Sequence, residues 1–360
     1  MPPSHHFVSR RCHVRLLGFL LVLSCGMLLP PPATAADAAL AKCAAMEERG
    51  TRLKCYDDIA NPPPPPAANG EAPREPVAAP TPQAIPQPPE PYLAETWNLG
   101  VTDRNLDITN IRPYRQTYIL LSRWTDSVNH TPSSPAPGHS VTTPLDLDGQ
   151  ELKFQLSFKS ELVSRETFEK VGLDHLRFWF AYTQQTQWQI YNSRNSRPVR
   201  ETNYEPELIL TYGTDNASGL KLINLGASHQ SNGRALPGSR SWSRLYLQGG
   251  WEWGRYSVLA RGWGSGGTED NPDINDYIGR AEVVARWDSE DKSQMLSLLL
   301  RHNLRRDPSR GFMQFDWRPI RLSKTTGIHL QVTSGYGESL IDYNHNQTTA
   351  GIGVSFLDWK

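Results

Sequence analysis

The chain has no excess of charge of either sign, since 37 Lys and Arg face 37 Asp and Glu among its 360 residues. That balance carries no electrostatic footprint for a nucleic-acid partner. Beyond its N-terminus the chain also lacks any run of 18 or more apolar residues, which excludes membrane-spanning helices. A membrane β-barrel stays open, because its strands alternate lipid-facing and lumen-facing residues and average out as polar. Cysteine is scarce: of four, Cys12 and Cys25 fall within the first 35 residues, leaving Cys43 and Cys55.

At the N-terminus, Arg10, Arg11 and Arg15 precede the apolar stretch from Leu16 to Leu29 and then Ala33-Thr34-Ala35. A charged start, an apolar core and a small-residue cleavage site in that order predict a secretory signal peptide over residues 1–35. Cleavage before Cys25 with lipidation of its thiol is the alternative, although Leu23 suits a lipoprotein signal poorly. In an oxidising compartment, Cys43 and Cys55 are expected to pair within a small helical segment spanning 36–61. A metal site is the weaker alternative, since two thiols without a nearby His or second Cys pair fall short of zinc spacing.

Residues 62–91 are rich in proline and alanine, including the run Pro62 to Pro66, and withhold the backbone donors that a sheet needs. This segment is expected to be an extended tether, with the N-terminal segment periplasmic. From residue 92 to 360 a two-residue period recurs. Leu152, Phe154, Leu156 and Phe158 alternate with polar residues, as do Leu245, Leu247, Gly249, Trp251 and Trp253. Leu296, Leu298 and Leu300, and Met313, Phe315 and Trp317, repeat the pattern. These are half-apolar strands separated by turn-rich stretches such as Thr131 to Gly138 and Gly264 to Asp273. A periplasmic β-sandwich shows the same alternation. The leader and the many Trp and Tyr residues near strand ends favour a barrel with interfacial aromatic girdles. At about 20 to 24 residues per strand and turn, the segment accommodates about twelve strands, an even number as bacterial barrels require.

One stretch carries candidate chemistry. His229-Gln230-Ser231-Asn232-Gly233-Arg234 runs on to Ser239-Arg240-Ser241-Trp242-Ser243. If the turn of a hairpin lies within 233–238, His229 and Ser231 share one face of the incoming strand. A register opposing 231 to 241 then sets Ser243 across from His229, with Cβ atoms about 4.5 to 5.5 Å apart. A hydroxyl nucleophile, an imidazole base and a second hydroxyl to orient that base are what serine catalysis requires. The bare triplet is weak, because His and Ser two apart also arise in any polar lumen cluster.

The wider pattern resembles the outer-membrane phospholipase A family. Besides the two segments above, the resemblance rests on Arg200-Glu201-Thr202-Asn203-Tyr204-Glu205-Pro206, Asp270-Asn271-Pro272-Asp273 and Ser334-Gly335-Tyr336-Gly337-Glu338-Ser339-Leu340-Ile341-Asp342-Tyr343-Asn344. It implies an all-β, antiparallel twelve-stranded transmembrane barrel in the bacterial outer membrane. The implied activity is calcium-dependent phospholipase A1/A2 hydrolysis of glycerophospholipids and lysophospholipids by a homodimer. Carried over by position, Ser231 is the nucleophile, His229 the base and the Gly233 backbone N–H an oxyanion donor. The Arg234 carbonyl, the Ser239 hydroxyl and Ser196 from a second copy would hold Ca2+. Gln184, which continues the apolar face of Phe178, Phe180 and Tyr182, would bond across the dimer interface; an amide at a water-facing strand end is the alternative.

The sequence departs from the family in two places. Ser243 stands where the family has an asparagine, and its shorter hydroxyl orients the imidazole less firmly. Leu236 stands where the family has an aspartate of an additional calcium site, which leaves only Asp270 for it; an ordinary acidic turn is the other reading of that segment. The chain also ends Phe356-Leu357-Asp358-Trp359-Lys360, with its aromatic one place early. The rival readings are a porin-like or scaffold barrel with an idle site and a lipid A deacylase.

Overall fold

A computed structural model describes residues 35–60, 91–99, 111–163, 165–214 and 219–356. The expected leader through residue 34, the tether up to residue 90 and Trp359 lie outside the described residues. The chain divides into two compact units, before and after residue 84. The first holds helices α1 (Ala35–Ala44) and α2 (Arg49–Ala60). Cys43 and Cys55 are disulfide-bonded with Cα atoms 5.5 Å apart, and Cys43 is buried. The break between the helices falls at 45–48, so that Gly50 lies inside α2.

The second unit begins its described course with helix α3 (Tyr92–Thr96) and a two-residue strand β1 (Arg112–Pro113). Twelve longer strands follow: β2 (Thr117–Thr125), β3 (Gln150–Val163), β4 (Leu176–Trp188), β5 (Val199–Gly213), β6 (Leu220–Ser231), β7 (Ser241–Trp253), β8 (Tyr256–Gly266), β9 (Ala281–Asp288), β10 (Met295–His302), β11 (Gly311–Arg318), β12 (Thr326–Tyr336) and β13 (Asn346–Phe356). Short helices α4 (Arg165–Glu169) and α5 (Ile274–Tyr277) lie in connecting loops. Each long strand pairs antiparallel with its sequence neighbour, and β13 returns to β2, so the sheet closes into a twelve-stranded barrel; β1 adds to β3 as a short extra strand. Closure removes every open sheet edge, which a lipid environment demands.

The alternation is inverted relative to a water-soluble sheet. Along β5 the inward face carries Glu201, Asn203, Glu205, Glu207, Ile209 and Thr211, all buried and mostly polar, while Tyr204, Leu208 and Tyr212 face outward. Along β3, Lys153, Ser157 and Lys159 are buried while Leu156 is exposed. A β-sandwich would bury the other face of the same strands. An apolar exterior around a polar interior is the pattern of a membrane barrel. Trp253 and Tyr256 flank the tight turn at one end, and Trp124 and Tyr191 lie exposed at the other, as interfacial girdles do.

Several charges inside the barrel are paired, as the low dielectric favours. Arg123 meets Glu151 at 2.8 Å, Lys153 meets Glu338 at 2.9 Å, and Arg115 reaches Glu205 and Glu207 at 3.1 and 3.0 Å. Helix α3 adds an apolar element to this lumen. Leu93 is fully buried and its N–H donates to Glu252 Oε1 at 3.0 Å. Trp97 lies with its ring centroid 3.1 Å from Lys159 Nζ, and Trp179 lies 4.8 Å from the same ammonium. Lys159 is fully buried and its Nζ makes no hydrogen bond, so these ring faces are its compensation.

Candidate active site on the outer wall

Strand β6 alternates buried Leu222, Asn224, Gly226 and Ser228 with outward Ile223, Leu225, Ala227 and His229. Ser231 ends the strand on that outward face. The β6–β7 register opposes Ser231 to Ser241 and His229 to Ser243, as the hairpin spacing predicts. His229 Nδ1 lies 3.0 Å from Ser243 Oγ. With Nδ1 protonated, Ser243 accepts its hydrogen and the Nε2 lone pair is left to act as a base. Ser231 makes no hydrogen bond to the imidazole in this conformation; such contacts often tighten only with substrate bound. A largely apolar groove on the outer wall runs beside His229 and Ser243, lined by Phe180, Pro206, Leu208, Ala227 and Leu245. Its surroundings are lipid-facing, so an acyl chain can lie against it.

After Ser231 the chain turns at Gly233, whose φ of +62° is a left-handed conformation that glycine adopts without steric cost. Arg234 donates its N–H to Asn232 Oδ1 at 3.3 Å. Ser239 Oγ donates to Asp270 Oδ2 at 2.7 Å, Ser241 Oγ reaches the same oxygen at 3.3 Å, and His139 Nε2 lies 3.2 Å from Asp270 Oδ1. Burial alone would raise the Asp270 pKa, but the bonds from Ser239, His139 and Ser241 hold it below the ordinary carboxylate range. Leu236 is exposed. Ser196 sits exposed in the β4–β5 turn with a φ of +56°. Gln184 lies on the outward face of β4, where its Oε1 accepts from Tyr182 at 3.1 Å and its Nε2 donates to Thr186 at 3.4 Å. The amide expected to reach a second copy thus has partners on its own strand.

As calcium donors, the Arg234 carbonyl and the Ser239 hydroxyl are oxygens, which suit a hard cation. The Ser239 hydrogen is committed to Asp270, which leaves its lone pairs for a ligand. No carboxylate belongs to this pair, and no group of three or more His, Cys, Asp or Glu side chains converges among the described residues. The donors fit calcium only when completed by water and by oxygens of a second copy. For an additional site, Leu236 offers no side-chain donor, so Asp270 is its one acidic side chain, and that carboxylate already accepts from Ser239 and Ser241 and, at its other oxygen, faces His139.

His139 escaped the sequence reading because it stands 131 positions from Asp270, with no local pattern to link them. The buried carboxylate of Glu201, which accepts from Asn232 Nδ2 at 3.1 Å, was visible only as part of a motif with no role attached. Its period-two spacing with Asn203, Glu205 and Glu207 is the signal of a lumen face.

The family model described as Phospholipase A1 matches residues 93–356. A protein of Neisseria meningitidis is 38% identical over 265 residues, covering 70% of this chain and 66% of the relative. Phospholipase A1 of Escherichia coli K12 is 41% identical over 182 residues, covering 49% of this chain and 61% of the relative. The chain thus aligns with under two thirds of the length of either. The crystallised outer membrane phospholipase A of Escherichia coli superimposes with a TM-score of 0.60 at 34% identity, over 70% of this chain and 100% of that one. A Salmonella typhi outer membrane phospholipase dimer with bound calcium superimposes with a TM-score of 0.60 at 33% identity, over 71% and 99%.

Proposed function

This chain belongs to the phospholipase A1 family of outer-membrane barrels, and from that premise we propose that it hydrolyses acyl esters of glycerophospholipids and lysophospholipids in the outer membrane. The observation that carries the proposal is the His229–Ser243 hydrogen bond on the lipid-facing wall, with Ser231 two residues along the same face. Ser231 Oγ attacks the ester carbonyl carbon while His229 Nε2 takes its proton. The tetrahedral intermediate collapses as His229 returns that proton to the departing glycerol oxygen, leaving an acyl-serine. Water, deprotonated by the same imidazole, then releases the fatty acid and restores Ser231. Ser243 holds the ring through Nδ1. The Gly233 N–H is the protein's donor to the oxyanion, and one such donor contributes about 3 to 4 kcal/mol to related reactions.

Calcium, held by the Arg234 carbonyl, the Ser239 hydroxyl and Ser196 of a second copy, would supply positive charge that polarises a water toward the oxyanion. A homodimer joined in part through Gln184 then completes the site, and the calcium-bound dimer of the Salmonella typhi relative supports that reading. The test is fatty-acid release from mixed phospholipid–detergent micelles, with and without chelator. Calcium-dependent release that is lost in Ser231→Ala is the expected result. Release of acyl chains from lipid A but not from phospholipid would favour a lipid A deacylase, and no release from either would leave an idle barrel.

A further inference from the structure

The turn that carries the proposed nucleophile and oxyanion donor is held from inside the barrel. Alternation turns the side chain after Ser231 inward, and Asn232 is 4% exposed. Every polar atom of its amide is used. Nδ2 donates to Gly238 O at 2.8 Å and to Glu201 Oε1 at 3.1 Å; Oδ1 accepts from the N–H of Arg240 at 3.0 Å and of Arg234 at 3.3 Å. Its own N–H donates to the Arg240 carbonyl at 3.1 Å. One side chain thereby ties the outgoing limb of the turn to its returning limb and both to β5.

Glu201 is the anchor beneath it. It is 2% exposed and stands on β5, the strand whose Tyr204 pairs with Ser231. Its Oε1 also accepts from Asn203 Nδ2 at 2.6 Å and from the Ile341 N–H at 3.2 Å. The carboxyl oxygens of Glu201 can receive donors from three directions at once, as they do here from Asn203, Asn232 and Ile341. We infer that Asn232 and Glu201 are positioning residues: they form a clamp inside the barrel that fixes Ser231, the Gly233 N–H and the Arg234 carbonyl in register on the outer wall. The inference rests on the proposed role of Ser231 and extends it to residues that touch neither lipid nor metal. Displacing a reacting group by about 1 Å costs about 100-fold in rate, so a clamp of this kind acts on turnover more than on binding.

The experiment uses the full chain folded in detergent with calcium. It reads kcat and KM for phospholipid, the rate of covalent labelling of Ser231 by a sulfonyl fluoride, and the folded fraction from the heat-dependent electrophoretic shift. Asn232→Ala is expected to lower kcat and labelling by about 100-fold per folded molecule with KM little changed. Asn232→Asp sets a second carboxylate against Glu201 and falls at least as far. Glu201→Gln falls less, because its amide oxygen still accepts from Asn203 and Ile341. The double variant Glu201→Gln/Asn232→Asp is expected to exceed Asn232→Asp by tenfold or more in kcat. The amide introduced on β5 then supplies the N–H that the carboxylate introduced in the turn needs, and about tenfold is what one restored hydrogen bond confers. Wild-type kcat and labelling in folded Asn232→Ala, or a double variant no better than Asn232→Asp, overturns the clamp. Hydrolysis that survives Ser231→Ala overturns instead the assignment of the nucleophile, so the two failures are distinguishable.

Discussion

Ser243 is the residue at which this chain departs from the asparagine implied by its resemblance, and the structure gives that departure a geometry. The hydroxyl reaches His229 Nδ1 at 3.0 Å, so a hydrogen bond to the ring survives the shorter side chain. What serine lacks is a planar amide with one fixed acceptor; its hydroxyl rotates, and the imidazole is held by a single soft torsion. Ser243→Asn is therefore expected to raise kcat, and Ser243→Ala to lower it by less than about 100-fold, the lower range of a general base's contribution. Steady-state kinetics on micellar phospholipid measure both, and an unchanged kcat in the two variants removes Ser243 from the mechanism.

Among the elements, the β6–β7 hairpin joins two environments. Its inward face belongs to the polar lumen, with Asn224 donating to Gln248 at 2.9 Å, while its outward face presents Leu225, Leu245 and Leu247. Leu247 pairs with Leu225 and is 60% exposed, an exposure that only lipid makes favourable. Leu247→Arg is expected to destabilise the barrel by about 2 to 4 kcal/mol in bilayers. Urea titrations of refolding into phosphatidylcholine vesicles would reveal this as a lower midpoint, and an unshifted midpoint would mean that this wall does not face hydrocarbon. Helix α3 makes the opposite demand, since Trp97 covers a buried ammonium. Trp97→Ala removes the closest ring from Lys159 and is expected to cost about 2 kcal/mol, read in the same titration.

For the molecule as a whole, ion pairs join the β12–β13 loop to strands β2, β3 and β5. Glu338 meets Arg123 at 2.5 Å and Lys153 at 2.9 Å, and Asp342 accepts from Arg200 at 2.8 Å. Burial alone would raise both carboxyl pKa values, but the charges of Arg123 and Lys153 on Glu338, and of Arg200 on Asp342, hold them below the ordinary range. Groups depressed in the folded state contribute stability that is fully present above their unfolded pKa, about 4, and lost as pH falls through the folded values. The thermal midpoint of the detergent-folded protein is therefore expected to hold down to about pH 5 and then to fall. Asp342→Asn should flatten part of that decline; an identical profile in this variant would show that the pair does not couple to folding.

Much of this architecture is legible in the chain itself. Period-two alternation marks the strands, and the spacing of His229, Ser231 and Ser243 sets three groups on one hairpin face once the turn lies between 233 and 238. Alternation is symmetric, however: it separates two faces without saying which meets water, lipid or a core. Only the closed sheet decides that Leu245 points to lipid and Glu205 to the lumen. The same closure brings His139 to Asp270 and Arg200 to Asp342, residues 131 and 142 positions apart. Local spacing carries no information about such meetings, because they depend on how the barrel curls, and its curl is a property of all twelve strands together.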